Sequence, residues 1–333
     1  LAKPTTYKSA GVDIEKAERS LERLKAEIES THTRQVLSGV GLFGGFYDLG
    51  DVPLSHPVLV SSTDGVGTKL KIAILTGRHE TIGQDLVHHC INDIAVSGAR
   101  PLFFLDYFAS GKLEPGVYES VIRGITIACK NAGIPLIGGE TAEMPDFYQP
   151  GDYDLCGTIV GIVEKERIMN GAAIEKGDVL MGVSSNGLHT NGFTLARKVL
   201  LPRFPLDEPI PELGHPLTDE LLRIHTNYFP LISQVLEQMT VHGIAHITGG
   251  GLKKNTRRLL REGLSLYIDW DSWDPPPIFK LIQKTGNVPE EDMRRTFNMG
   301  IGLVFIVPER EVEPLLSLGQ SIGEKILKIG EVG

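Results

Sequence analysis

The chain is poor in cysteine, with Cys90, Cys129 and Cys156 alone among 333 residues. They are odd in number and form no C-x-x-C pair, so neither a disulfide scaffold nor a zinc site is indicated. Positive charge is also short. Lys and Arg number 33 against 42 Asp and Glu, a net charge of −9. That balance disfavours nucleic acid and anionic membranes as partners but leaves room for a local anion site. No apolar run approaches membrane-spanning length and no signal peptide is visible, so a cytoplasmic protein with no membrane partner is expected. Short-period repeats and low-complexity tracts are missing too. The length then sets a prior of two domains, each with ample core.

Two familiar nucleotide motifs are absent. A P-loop needs its lysine before the hydroxyl residue, and here Thr68 precedes Lys69 with no glycine at the required upstream position. Gly39-Val40-Gly41-Leu42-Phe43-Gly44 spells G-x-G-x-x-G, with Asp64 twenty positions on. A dinucleotide fold requires that motif to leave a buried strand and open a helix. The preceding Thr31-His32-Thr33-Arg34-Gln35 is too polar for such a strand, and the stretch from Gly45 to Pro53 is a poor helix.

What the chain does carry is Ser61-Ser62-Thr63-Asp64-Gly65-Val66-Gly67-Thr68-Lys69, directly after the apolar run Pro57 to Val60. A carboxylate at a strand end can hold a hard cation, glycines let backbone approach a ligand, and a lysine can meet a phosphate. The segment reads either as a metal–nucleotide site or as a polar turn with Asp64 as a cap. Glycines also cluster at 39–45, 138–139 and 249–251, next to apolar runs, as ligand loops do.

Periodicity predicts a helix over 13–29, a strand over 54–62, a helix opened by a capping box at Thr81 to Gln84 with Ile82, Leu86, Cys90 and Ile94 on one face, and a strand over 102–109. A helix starting near Pro115 and strands over 135–137 and 155–163 follow. After the polar stretch 164–177 come a strand over 178–184, helices over 191–200 and 218–239, a short strand over 243–247, helices over 253–262 and 277–284, and a strand over 302–307. Alternating strands and helices in both halves argue two α/β or α+β domains, 1–168 and 169–333. First-half strands such as Leu102-Phe103-Phe104-Leu105 are apolar on both alternations, which requires cover on two faces and predicts a homodimer.

Ligand-capable acids follow or interrupt apolar runs at Asp64, Asp93, Asp106 and Glu140. A carboxylate in a strand as apolar as that of Asp106 needs a partner, either a basic side chain or magnesium held with ATP phosphates. His88-His89-Cys90 reads as packing and surface polarity, because adjacent helix residues do not share a face. In the second half, Ser184 to Gly192 leaves a strand and enters a helix, a place for an anion. His189 within it is either a proton-transfer group or a loop histidine bonded to backbone. His246-Ile247-Thr248-Gly249-Gly250-Gly251 also runs from strand to helix, and its glycines can present successive N–H groups to a phosphate.

Together these motifs resemble the phosphoribosylformylglycinamidine cyclo-ligase (aminoimidazole ribonucleotide synthetase) family, from Tyr7-Lys8-Ser9-Ala10-Gly11-Val12-Asp13-Ile14 almost to the C-terminus. Asp93 to Pro101 matches D-x4-G-A-x-P, shared by a wider ATP-using superfamily. Gly138-Gly139-Glu140-Thr141-Ala142-Glu143-Met144-Pro145 and Thr296-Phe297-Asn298-Met299-Gly300-Ile301-Gly302 are more specific. The resemblance implies ATP-driven closure of an imidazole ring on formylglycinamidine ribonucleotide through an iminophosphate. It implies Mg2+ on Asp64, Asp93 and Glu140, and catalytic roles for Lys69, Asp93 and His189. ATP would be bound by Lys25, Gly39, Gly41, Phe43, Gly44, Asp64, Gly65, Thr68, Gly138, Gly139 and Glu140. The ribonucleotide would lie on Asn191, His246, Thr248, Gly249, Gly250, Gly251 and Asn298. The family fold implied is a first-domain sheet that pairs across a homodimer into a barrel, and a second domain with a mixed sheet flanked by helices. The resemblance also implies that the glycine-rich segment 39–45 closes over ATP as a lid, and Leu42 stands where the family carries a further glycine, which bears on its mobility. Rival readings within the superfamily are a selenophosphate synthetase, a thiamine-phosphate kinase, an amidotransferase-type synthetase and a carbamoyl dehydratase. A catalytically silent ATP-binding partner is the rival from another class.

Overall fold

The computed structural model describes residues 5–333. Helix α1 (Ile14–Glu29) starts at Asp13, whose carboxylate caps the Lys16 N–H, and buries Leu24 and Ile28. Then follow β1 (Pro57–Gly65), α2 (Leu70–Thr76), α3 (Glu80–Ala95), β2 (Arg100–Ser110), α4 (Pro115–Ala132), β3 (Leu136–Glu143) and β4 (Tyr153–Glu164). The four strands form one sheet in the order β1-β4-β2-β3, antiparallel except for the parallel β2–β3 pair.

Alternation along these strands decides what each face meets. Phe104, Phe108, Leu155 and Ile159 point to one side and are fully buried with α3 and α4. On the opposite face Leu59 is 60% exposed, and Phe103, Leu105, Tyr107 and Val160 are only half-buried. That face has no cover among the described residues.

The second half contributes β5 (Val179–Ser184), α5 (Phe193–Leu200), β6 (Pro209–Ile210), β7 (His215–Pro216), α6 (Leu217–Leu221), α7 (Phe229–Gln238), β8 (Gly243–His246), α8 (Gly251–Arg257), β9 (Leu266–Ile268), α9 (Pro277–Gly286), α10 (Glu290–Thr296), β10 (Ile301–Val307), α11 (Val312–Ile322) and β11 (Ile326–Val332). Its main sheet runs β8-β10-β5-β11-β9. Every neighbouring pair is antiparallel, so the mixed sheet expected here is corrected to an antiparallel one; the parallel pair belongs to the first half. Both faces are covered. Val179, Met181 and Val183 meet α7 and α11, while Leu180, Val304 and Ile306 meet Ile174, Leu252 and Trp273. The halves share core: Phe193, Phe279 and Phe297 join the first-half cluster, and Ala95 joins the second. No helix among the described residues is long and apolar enough to cross a membrane.

Two local expectations fail for identifiable reasons. The capping box does not form, because α3 begins two residues earlier than that box requires, at Glu80 with His79 at the cap, and the Thr81 hydroxyl is buried without a partner. The single helix over 218–239 is broken between α6 and α7. There the backbone spends its hydrogen bonds on first-half side chains: Asp85 takes the His225 N–H at 2.7 Å, Asn92 takes the Tyr228 N–H and donates to the Thr226 carbonyl, and Lys69 donates to the Arg223 carbonyl. Four tertiary bonds outbid a local helical preference.

Candidate active site

Strand β1 brings Asp64, and α3 brings His89 and Asp93 on successive turns, to the seam between the halves. His89 Nε2 lies 2.8 Å from Asp64 Oδ2 and 3.7 Å from Asp93 Oδ2. Asp93 Oδ1 accepts from His246 Nδ1 at 2.7 Å, so β8 of the second half closes the cluster. Burial opposes charge on every member, yet the hydrogen bond and charge of His89 hold the Asp64 carboxyl below its ordinary value. His246 does the same for Asp93, and Asp64 with Asp93 raises His89. Both carboxylates are therefore ionised at neutral pH, and Asp64 keeps 43% of its side chain open. The reading of His89 as surface polarity is overturned: it is buried between two carboxylates. Sequence spacing did hold the signal, since His89 and Asp93 are four apart on one helix face.

Next to this cluster a cleft of about 490 Å³ is lined by Thr68, Asn191, Thr194, Lys198 and Thr296. Gly249 borders Asn191, where a Cβ would come 3.1 Å from its Oδ1. The three glycines differ in what they need. Gly250 and Gly251 have φ of +104° and +72°, and a side chain on Gly251 would strike the Arg294 carbonyl at 1.9 Å. Gly251 is thus required by packing of α8 on α10, and only Gly249 is exposed. Thr248 is half-buried, with its carbonyl held by Asn255.

A second cavity of about 280 Å³ lies beneath α1. Gly41, Gly138, Gly139, Glu140 and Asp106 line it with Leu21, Ile28 and Ile122. Lys25 falls between Leu21 and Ile28 by helical spacing. The glycine-rich segment arches over it. Leu37 N–H to Phe46 O and Phe46 N–H to Ser38 Oγ pin its base, while Phe43 is fully exposed and Gly41 and Gly44 touch nothing that a Cβ would meet. Gly39 stands near Glu29, and the Gly65 N–H donates to Asp64 Oδ1. Gly139 has no room for a Cβ, which would lie 2.2 Å from Asp106 Oδ1.

Asp106 has no basic partner among the described residues, and burial pushes its carboxyl from 3.8 up to about 7. The unfolded chain ionises it near 3.8, so native stability falls as pH rises between those values and the penalty is complete above 7. Asp106→Asn should therefore be more stable than wild type at pH 8 by roughly 2–4 kcal/mol. Chemical denaturation should show the gap closing toward pH 4, and a gap equal at both pH values would refute the assignment.

Four expected site residues stand apart from the Asp64–Asp93 cluster within the single chain. Lys69 does not reach either cleft: its ammonium is fully buried, 2.7 Å from Asp85. Glu140 does not join Asp64 and Asp93. It stands on β3, three strand spacings (about 14 Å) from β1, and its pairing with Tyr107 places it on the uncovered face. Asn298 is buried and spent on structure, accepting from Ser185 Oγ and Gly300 N–H and donating to Gly187 O. His189 is buried, lines neither cleft, and stacks 4.0 Å from His225. Its φ of +61° and two unpartnered ring nitrogens mark a strained loop, and burial drives its pKa far down, so the ring is neutral and closed off from a substrate. Sequence reading missed His225 altogether, since nothing local distinguishes a histidine in a predicted helix.

Residues 51–163 match the family model described as "AIR synthase related protein, N-terminal domain", and 175–333 match the corresponding C-terminal domain. Among curated relatives, the phosphoribosylformylglycinamidine cyclo-ligase of Citrifermentans bemidjiense is 49% identical over 98% of this chain and 94% of its own length. That of Pseudothermotoga lettingae is 49% identical over 98% and 96%. Among solved structures, the thiamine-monophosphate kinase of Stenotrophomonas maltophilia superposes with a TM-score of 0.72 at 19% identity, over 95% of this chain and 94% of that one. Hydrogenase maturation protein HypE in complex with ATP gives 0.66 at 16% identity, over 95% and 86%. These two show a shared fold.

Proposed function

The chain belongs to the phosphoribosylformylglycinamidine cyclo-ligase family, and on that premise we propose that it converts formylglycinamidine ribonucleotide and ATP to aminoimidazole ribonucleotide, ADP and phosphate, a step of purine biosynthesis. The observation that carries the reading is near-half identity along 98% of the chain, with the ionised Asp64–His89–Asp93 cluster at the seam of the two halves. The ATP complex of HypE supports nucleotide binding on this fold.

The substrate's amide oxygen attacks the γ-phosphorus and the bond to the β,γ-bridging oxygen breaks, releasing ADP. The substrate's own nitrogen then attacks the activated carbon, and the carbon–oxygen bond breaks with loss of phosphate. Such chemistry depends on positioning and charge compensation. Asp64 and Asp93 fit Mg2+, being hard, ionised oxygen donors at a partly open site, and the ion when bound would neutralise phosphate charge. Asp93 is steadied by His246 and Ser62, and Asp64 by His89. Thr68, Asn191 and Lys198 offer hydrogen bonds and charge to the ribonucleotide at the adjoining cleft, with Gly249 the accessible member of the glycine loop. ADP release should require formylglycinamidine ribonucleotide. ATP turnover indifferent to that substrate would contradict the reading.

The working unit is a homodimer in this proposal. The uncovered first-half sheet face would pack on a second copy, forming the barrel, and a second copy is a source of the third carboxylate that one chain does not bring to Asp64 and Asp93. Sedimentation at micromolar concentration should give twice the chain mass, and an active monomer would end this proposal.

A further inference from the structure

His225 is fully buried, yet neither packing nor the chemistry above accounts for the way its ring is bonded. Its Nε2 lies 3.0 Å from His246 Nε2, and its Nδ1 lies 3.3 Å from Thr190 Oγ1. Thr190 Oγ1 in turn lies 2.7 Å from His89 Nδ1. A continuous chain therefore links His89 to Asp93 through Thr190, His225 and His246. It crosses from the first half to the second and back.

The donors and acceptors of that chain run in one direction when His89 carries a proton on each ring nitrogen, donating from Nε2 to Asp64 and from Nδ1 to Thr190. Ionised Asp93 only accepts, so His246 donates from Nδ1. A neutral His246 then has only a lone pair at Nε2, and the proton between the two rings belongs to His225 Nε2. Its Nδ1 is left as an acceptor and takes the Thr190 hydroxyl proton. The Thr190 oxygen accepts from His89 Nδ1–H. Burial lowers the His225 pKa well below its ordinary value, which keeps that ring a one-donor, one-acceptor bridge. Its placement is fixed independently by Asp85 on its backbone N–H, by His88 donating to its carbonyl, and by the His189 ring stacked on its face.

We propose that His225 is a positioning residue: by donating from Nε2 it holds His246 in the Nδ1–H tautomer, turned toward Asp93. One oxygen of Asp93 is thereby committed to the second half of the chain, and the other is left toward His89 and Ser62. This inference rests on the role of Asp93 in the function proposed above. A ring free to adopt the other tautomer would give up the Asp93 bond, and the carboxylate would lose its orientation. Outer partners of this kind typically alter activity by about 10–100-fold when removed.

The test uses the full chain labelled at histidine with 15N, comparing wild type with His225→Phe and His225→Gln. The ring nitrogen shifts of His246 report its tautomer directly. Wild type should show Nδ1–H. The Phe variant should show a mixture or the Nε2–H form, with kcat reduced about 10–100-fold and substrate KM little changed. Gln can donate from a similar position, so it should restore both tautomer and most of kcat. Wild-type His246 in the Nε2–H form would overturn the proposal, as would a Phe variant with unchanged tautomer and kcat. If Phe fails to fold, the wild-type spectrum and the Gln variant still decide. If the chain does not turn over the substrate, the proposed function fails, while the tautomer measurements separately decide the role of His225.

Discussion

Asp93→Asn should lower turnover by about 10²–10³-fold, the loss typical of removing one charge-stabilising group from a preorganised site. The substitution leaves the shape of the side chain and an oxygen that can still accept from His246 Nδ1, so the fold should survive. What it removes is a negative charge held 3.7 Å from His89, and with it one of the two carboxylates suited to Mg2+. Affinity for Mg2+-ATP should fall along with kcat. His89 should also become easier to deprotonate, because Asp93 is one of the charges raising it. Steady-state kinetics across Mg2+ concentrations checks this, with a thermal melt to confirm folding. Wild-type turnover and wild-type Mg2+ dependence in the variant would remove Asp93 from the site.

The largest stability effect is expected at Asp85. Asp85→Asn strands the Lys69 ammonium, which is fully buried with its charge partner 2.7 Å away and over the Phe193 ring at 5.6 Å. Burial resists charge on both partners, pulling Lys69 down and pushing Asp85 up, so each depends on the other to stay ionised. Breaking such a pair on one side costs about 3–5 kcal/mol, whereas replacing both partners by apolar groups of similar volume is often nearly neutral. Here the double replacement should recover only part of the loss. Asp85 also accepts the His225 N–H and Lys69 donates to the Arg223 carbonyl, and these bonds hold the irregular segment between α6 and α7. Urea denaturation of the two single variants and the double variant gives the comparison. A single Asp85→Asn variant within about 1 kcal/mol of wild type would show that the pair does not carry this load.

Much of the architecture was legible because it is local. Ile82, Leu86, Cys90 and Ile94 repeat at helical spacing and are all buried in α3. The apolar run Pro57 to Val60 marked a strand ahead of the glycines, although β1 runs over Pro57–Gly65 rather than the expected 54–62. The carboxylates Asp64 and Asp93 were visible as costly residues beside apolar runs, and β1 and α3 do bring them to one histidine. The failures come from tertiary contacts that no window of sequence contains. Lys69 looks like a phosphate ligand beside Thr68 until Asp85, sixteen residues away, claims its charge. Glu140 looks like a third ligand until the strand order puts β3 at the opposite edge from β1. His225 sits in a pattern that reads as helix, and its meaning depends on Asp85, Thr190 and His246, none of them near it in the chain.

The claim that ATP activates the substrate's amide oxygen is tested most directly by the fate of that oxygen. Formylglycinamidine ribonucleotide carrying 18O in its formyl-derived amide should give aminoimidazole ribonucleotide with the label recovered in inorganic phosphate, one atom for each ring closed. Label released into water instead, with unlabelled phosphate, would contradict phosphoryl transfer to the substrate and with it the mechanism assigned to this site.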